Sequence, residues 1–261
     1  MRGLVIALSA LALLLPLLPS LAPPALAEEQ IVSGLSQTRV SITADFDGSE
    51  ILVYGAIKRD APAPEGPIDV IITAEGPSLP ITIRKKDRVA GIWLNKESLP
   101  IDAAPSFYSV VTTAPLEHIL AKDENFKHSI TIDRLVRSQA LHDQDFGQDD
   151  FIKGLIRVRS GEGLYRRLEN RITLSEDTLF RADIALPSNL TEGQYRIRMF
   201  LLRGGKVISE QRKTIFVRKE GLERAIHSLA TKEPLLYGIV SLIFAAFAGW
   251  AASTAFRYLR L

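Results

Sequence analysis

The sequence predicts a mainly β fold: an immunoglobulin-like β-sandwich, as one composite domain or two small modules, with a helical insert and one C-terminal transmembrane helix. Three observations carry that expectation. Short apolar stretches separated by Gly and Pro turns recur over residues 38–113 and again over 179–218. Between them, from Pro115 to about Ser160, the apolar spacing lengthens to three and four. Near the end, residues 234–256 run without a charged side chain.

Taken in order, residues 1–27 read as a signal peptide. Arg2 gives a positive start, residues 4–18 are apolar except for Ser9 and Pro16, and Pro19, Pro23 and Pro24 interrupt any helix. Ala25-Leu26-Ala27 then supplies small residues at the −3 and −1 positions, so the mature chain is expected to begin at Glu28.

An N-terminal β module is expected over 28–114. Val40, Ile42, Ala44 and Phe46 alternate with polar residues, as in a half-buried strand. Asp47-Gly48 reads as a hairpin turn returning into a strand over 50–57. The proline-rich stretch 60–67 reads as a stiff connection, because each proline removes a ladder donor. Further strands are expected at 68–74, 81–85, 89–94 and 107–113.

Residues 115–162 form the predicted helical insert. Ile130, Ile132, Leu135 and Val136, then Phe151, Ile152, Leu155 and Ile156, have the spacing of short amphipathic helices around a polar loop. A C-terminal β module is expected over 163–219, with strands at 179–186, 194–202 and 206–218. The last two are joined through Gly204-Gly205, a pair suited to positive φ in a tight turn. Leu190 to Tyr195 has the layout of the corner in which a tyrosine hydroxyl bonds back to the preceding loop. Leu99 to Tyr108 has a similar layout, so a duplication of two modules is one alternative.

A juxtamembrane amphipathic helix is expected over 220–233, with Leu222, Ala225, Ile226 and Leu229 on one face. The transmembrane helix at 234–256 follows, opened by Pro234 at a position where proline is tolerated. Arg257 and Arg260 in the tail 257–261 favour a cytoplasmic C-terminus. The expected location is therefore the bacterial inner membrane, with a periplasmic domain.

Composition excludes several function classes. The 261 residues include 32 Lys plus Arg and 30 Asp plus Glu. With Arg2, Arg257 and Arg260 outside the exported region, 29 basic residues face 30 acidic ones, so no nucleic-acid partner is implied. No cysteine is present, which removes disulfides, thiolate metal sites and cysteine nucleophiles. No Gly-x-Ser-x-Gly elbow, His-Glu-x-x-His pair or P-loop occurs. Hence no catalytic residue and no cofactor is assigned.

Three constellations remain. His142, Asp143, Asp145 and Asp149 form an acidic loop with oxygen ligands of the kind hard cations take, but Gly147 and Gly154 break the EF-hand pattern. The other reading of that loop is a solvated segment whose Asp149 or Asp150 favours a helix N-terminus. Arg84-Lys85-Lys86 reads as an anion patch, or as an exposed charged hairpin tip; strand alternation would place Arg84 and Lys86 together. Ser241, Ala245, Gly249 and Ser253 recur every four residues within the membrane segment, forming a small-residue stripe that allows close helix pairing.

Gly76-Pro77, residues 83–86, Gly91-Ile92-Trp93-Leu94-Asn95 and Pro105-Ser106-Phe107-Tyr108 resemble landmarks of the Alph_Pro_TM family of alphaproteobacterial transmembrane proteins. Leu179-Phe180-Arg181, Leu186-Pro187, Gly193-Gln194-Tyr195, residues 235–238 and Gly249-Trp250 resemble its C-terminal ones. The resemblance implies an inner-membrane protein with a periplasmic domain and brings no activity or site. The expected role is a non-enzymatic accessory, scaffold or binding subunit, paired as a homodimer or with a multi-spanning permease. The alternative is an envelope enzyme or metal-dependent sensor using the acidic loop 142–150.

Overall fold

The computed structural model describes residues 29–43, 45–62, 64, 66–89, 91–139, 148–219 and 229–259. The expected signal peptide, most of the juxtamembrane segment and the end of the tail lie outside them. In chain order the strands are β1 (Glu29–Leu35), β2 (Arg39–Ile42), β3 (Gly48–Arg59), β4 (Ile68–Glu75), β5 (Ser78–Val89), β6 (Ile92–Pro105) and β7 (Tyr108–Thr112). Helices α1 (Leu116–Ile119), α2 (Lys122–His128), α3 (Ile132–Gln139) and α4 (Gln148–Gly161) follow. Then come β8 (Tyr165–Leu168), β9 (Thr173–Ser175), β10 (Leu179–Pro187), β11 (Gly193–Arg203), β12 (Lys206–Lys219) and helix α5 (Pro234–Leu259).

The strands form a four-stranded sheet in the order β1-β3-β10-β9, a six-stranded sheet in the order β2-β12-β11-β4-β7-β8, and the hairpin β5-β6. β10 shows why the first sheet has one wet face. Phe180, Ala182, Ile184 and Leu186 are buried, while Leu179, Arg181 and Asp183 are exposed. β4 differs, because nearly all of its residues are buried. One of its faces continues the core shared by both sheets, and the helical insert covers the other. Arg198 and Phe200, on the outer face of β11, meet that insert at His128. Both sheets and the helical insert contribute to one core, which includes Val53, Ile72, Ile184 and Met199 as well as Ile130, Val136 and Ile152.

Strands from the two expected modules are mixed within both sheets. β3 pairs with β10, and β11 pairs with β4, so the boundaries at 114 and 163 cut across the sheets. The expected hairpin through Asp47-Gly48 is also corrected. β2 lies parallel to β12, and Gly48 begins β3 opposite Pro187, in a strand position that turn chemistry alone does not reveal. β1 was not anticipated. Its alternation is short and interrupted by Gly34, and its register comes from pairing along β3.

Other local expectations hold. Gly204 and Gly205 have φ of 56° and 81°, joining β11 to β12 in a tight hairpin. The Tyr195 hydroxyl donates to the Thr191 carbonyl at 2.7 Å. The parallel layout at Tyr108 does not repeat this corner, because that hydroxyl donates to Ile130 at 2.7 Å.

Glu29 ties the sheets together. Its side chain is 3% exposed, and it accepts from Arg59 of the same sheet (2.6 Å) and from Arg203 of the other (2.8 Å). Burial pushes its carboxyl up, but the two guanidinium groups outweigh that and hold it below the usual range.

Candidate functional site

The hairpin β5-β6 is the element least absorbed by the core. Near its base Ile101 is buried, and Ile81, Ile83 and Leu99 pack partly against the core beside α3 and α4. Beyond Ile83 the strands are exposed. Their register places Lys85 opposite Glu97, Lys86 opposite Asn95 and Arg88 opposite Trp93, with a shift between Lys85 and Lys86. Residues 92–94 form an apolar tip, with Ile92 64%, Trp93 65% and Leu94 51% exposed.

A cleft of about 630 Å³ opens between this hairpin and α4. Arg84, Lys85, Lys86, Lys153 and Arg157 line it with a single carboxylate, Asp150. The Lys85 ammonium lies 3.4 Å from Asp150, both of them solvent-exposed, so this pair contributes little to stability. Lys85 is the one that pairs with α4, through Asp150, but Arg84 and Lys86 of the other strand parity line the same cleft. Asp87 accepts from the Arg88 backbone N–H and from Lys96, and both hold its carboxyl below the usual range. The cleft is therefore an electropositive groove suited to anionic groups.

The acidic loop is different. His142, Asp143 and Asp145 lie outside the described residues. Asp149 accepts from Arg137, whose guanidinium also binds Asp133 at 2.9 Å. That bond holds the Asp149 carboxyl below the usual range and links α4 to α3. Asp149 and Asp150 sit in the first turn of α4, where negative charge favours the helix dipole. Among the described residues no group of three His, Asp or Glu side chains is placed to hold a metal ion. His128 lies between Glu210 (3.3 Å) and Glu124 (3.6 Å), with its ring edge-on to Phe200.

A buried polar set fixes the helical insert. Arg198, 8% exposed, donates to the carbonyls of His128 (2.7 Å) and Ser129 (3.2 Å), while Tyr108 takes that of Ile130. These are orphan carbonyls at the C-terminal end of α2, where Ser129 turns left-handed at φ 47°. Burial pushes the Tyr108 hydroxyl up to about 12. Sequence reading missed these residues, since one arginine among three in β11 gives no hint of which carbonyls it meets. It also left the hairpin tip unassigned. Three consecutive apolar residues after Gly91, flanked by cations, were the available signal.

Helix α5 stands apart in character. From Pro234 to Ala255 it is long and apolar enough to cross a membrane, and none of that stretch is buried. Ser241, Ala245, Gly249 and Ser253 lie along it at intervals of four, and a Cβ built on Gly249 would meet nothing within 4 Å. The stripe is thus open to a neighbouring helix.

Residues 30–258 match the family described as "Putative transmembrane protein (Alph_Pro_TM)". The search of curated proteins gave no match. Among solved structures the chain is similar to Spo0M, a sporulation control protein from Bacillus subtilis, at 10% identity and a TM-score of 0.28. That likeness covers 74% of this chain and half of the other, and at this score it carries no argument. The family match spans nearly the whole chain, and the protein belongs to this transmembrane family.

Proposed function

We propose that this family member is an exported protein anchored in the bacterial inner membrane by α5, serving as a non-enzymatic binding or accessory subunit of a membrane partner. In this reading residues 1–27 are removed on export, and the described β domain is one composite immunoglobulin-like sandwich in the periplasm. Arg257 and Arg260 mark the cytoplasmic side. The open small-residue stripe on α5 is the observation that carries the partner role, because close backbone approach drives helix association where lipid is as apolar as leucine. The partner is a second copy of the chain or a multi-spanning permease.

The test is co-purification from mild detergent through a C-terminal tag, with Gly249→Leu in parallel. A stoichiometric membrane protein, or a dimer, that is lost in the variant supports the proposal. A chain that purifies alone and monomeric in both samples overturns it.

A further inference from the structure

We infer that the tip of the β5-β6 hairpin rests on the surface of the bilayer that α5 crosses, with Trp93 at the interface and Arg84, Lys86 and Arg88 on anionic phospholipid headgroups. The inference rests on the membrane helix and not on the accessory role.

Exposure is the first observation. Ile92, Trp93 and Leu94 are each more than half exposed at the end of a hairpin whose strands run 12 and 14 residues. The other exposed aliphatic strand residues, such as Val32 and Leu179, stand singly in sequence, whereas three consecutive apolar residues at a hairpin tip mark a contact surface. Tryptophan favours the membrane–water interface, with an apolar ring and a polar N–H.

Charge is the second. Strand alternation places Arg84, Lys86 and Arg88 at one parity of β5, and Trp93 pairs directly with Arg88. Of the two carboxylates on this stretch, Asp87 is already engaged by Lys96, and Glu97 stands opposite Lys85, at the other parity. What remains at the tip is cationic and apolar together, which is the composition that binds anionic lipid surfaces.

Position in the fold is the third, and it selects the occupant. β4 ends at Glu75, opposite Arg196 near the start of β11, and Gly193 at that start pairs with Val217 near the end of β12. Pro77, immediately before β5, lies against Gly193, and the hairpin closes at its base where the Ser106 N–H donates to Pro77 at 2.9 Å. The hairpin therefore leaves the six-stranded sheet at the end where β12 gives out at Lys219 and the chain continues toward α5. The bilayer is thus tethered to the domain at this end, and tethering makes even a weak second contact effective.

The sequence holds two tryptophans, Trp93 and Trp250, so the full-length Trp250→Phe protein reports on Trp93 alone. It would be reconstituted into vesicles of phosphatidylcholine, with and without phosphatidylglycerol, and with brominated phosphatidylcholine as a quencher. The expected result is blue-shifted Trp93 emission, quenched by the brominated lipid and protected from aqueous acrylamide. Phosphatidylglycerol should strengthen all three effects. The triple variant Arg84→Glu, Lys86→Glu, Arg88→Glu should reverse them, with an unchanged circular dichroism spectrum. Water-like emission that is quenched by acrylamide and indifferent to brominated lipid overturns the inference. So does a blue shift that brominated lipid leaves unquenched, since it would place a protein surface over the tip. Neither result bears on whether Gly249→Leu loses a partner.

Discussion

At the scale of single residues, Glu29 shows how much one side chain can hold. It stands one position beyond the expected processing site, yet its carboxylate is buried between Arg59 and Arg203 and spans the two sheets. Removing the charge leaves two guanidinium groups only 15% exposed and without this counter-charge, held by neutral acceptors such as the carbonyls of Asp177 and Pro64. Glu29→Gln should therefore destabilise the domain by about 3 kcal/mol at neutral pH, read as a lowered denaturation midpoint with unchanged slope. The pH dependence follows from the depressed carboxyl. Stability from this ion pair is present above the unfolded value near 4.5 and is lost as pH falls through the lower folded value. Glu29→Gln should lose less stability on acidification than the wild type, whereas an identical acid profile would show that the clasp carries no charge-dependent stability. None of this was legible in the sequence. Glu28 reads only as the start of the mature chain, and the pairing of β1 with β3 is what brings Glu29 opposite Arg59.

Elements were legible where local chemistry decides them. The Gly204-Gly205 turn, the Tyr195 corner and the apolar helix α5 each follow from residues near one another in sequence. Elements whose partners are distant were misread. The 40–46 strand was given a local hairpin, but β2 instead lies beside β12, more than 170 residues later. The basic run reads as an anion patch or a hairpin tip, whereas it lies within β5, and the groove it makes with α4 required the contact of Lys85 with Asp150 across 65 residues. The attachment of the insert is a further case. Arg198 and Tyr108 hold three successive carbonyls at the end of α2, so Arg198→Met should uncap that helix and loosen residues 122–131 while the two sheets persist. Amide hydrogen exchange checks this. Faster exchange confined to 122–131 is expected, and unchanged protection there would mean that the arginine is dispensable to the insert.

For the molecule as a whole, the exchange of strands between the first and last thirds of the β domain explains why residue patterns alone left one or two modules open. Periodicity reports which face of a strand is buried, but it carries no information about which strand lies beside it. The composite arrangement places the base of the cationic hairpin and the outgoing end of β12 at one end of a sheet, and the membrane helix follows in the chain. Partner contacts through α5 and lipid contacts through residues 92–94 both depend on a β domain held outside the cytoplasm against a membrane. The absence of any cysteine makes that premise directly measurable. Thr173→Cys, exposed on the edge strand β9, and Arg260→Cys in the tail give two single-thiol proteins for labelling in spheroplasts with a membrane-impermeant maleimide. Labelling of Thr173→Cys in intact spheroplasts, with Arg260→Cys labelled only after lysis, is the predicted result. Labelling of Thr173→Cys only after lysis would contradict it and would place the β domain, its groove and its hairpin in the cytoplasm.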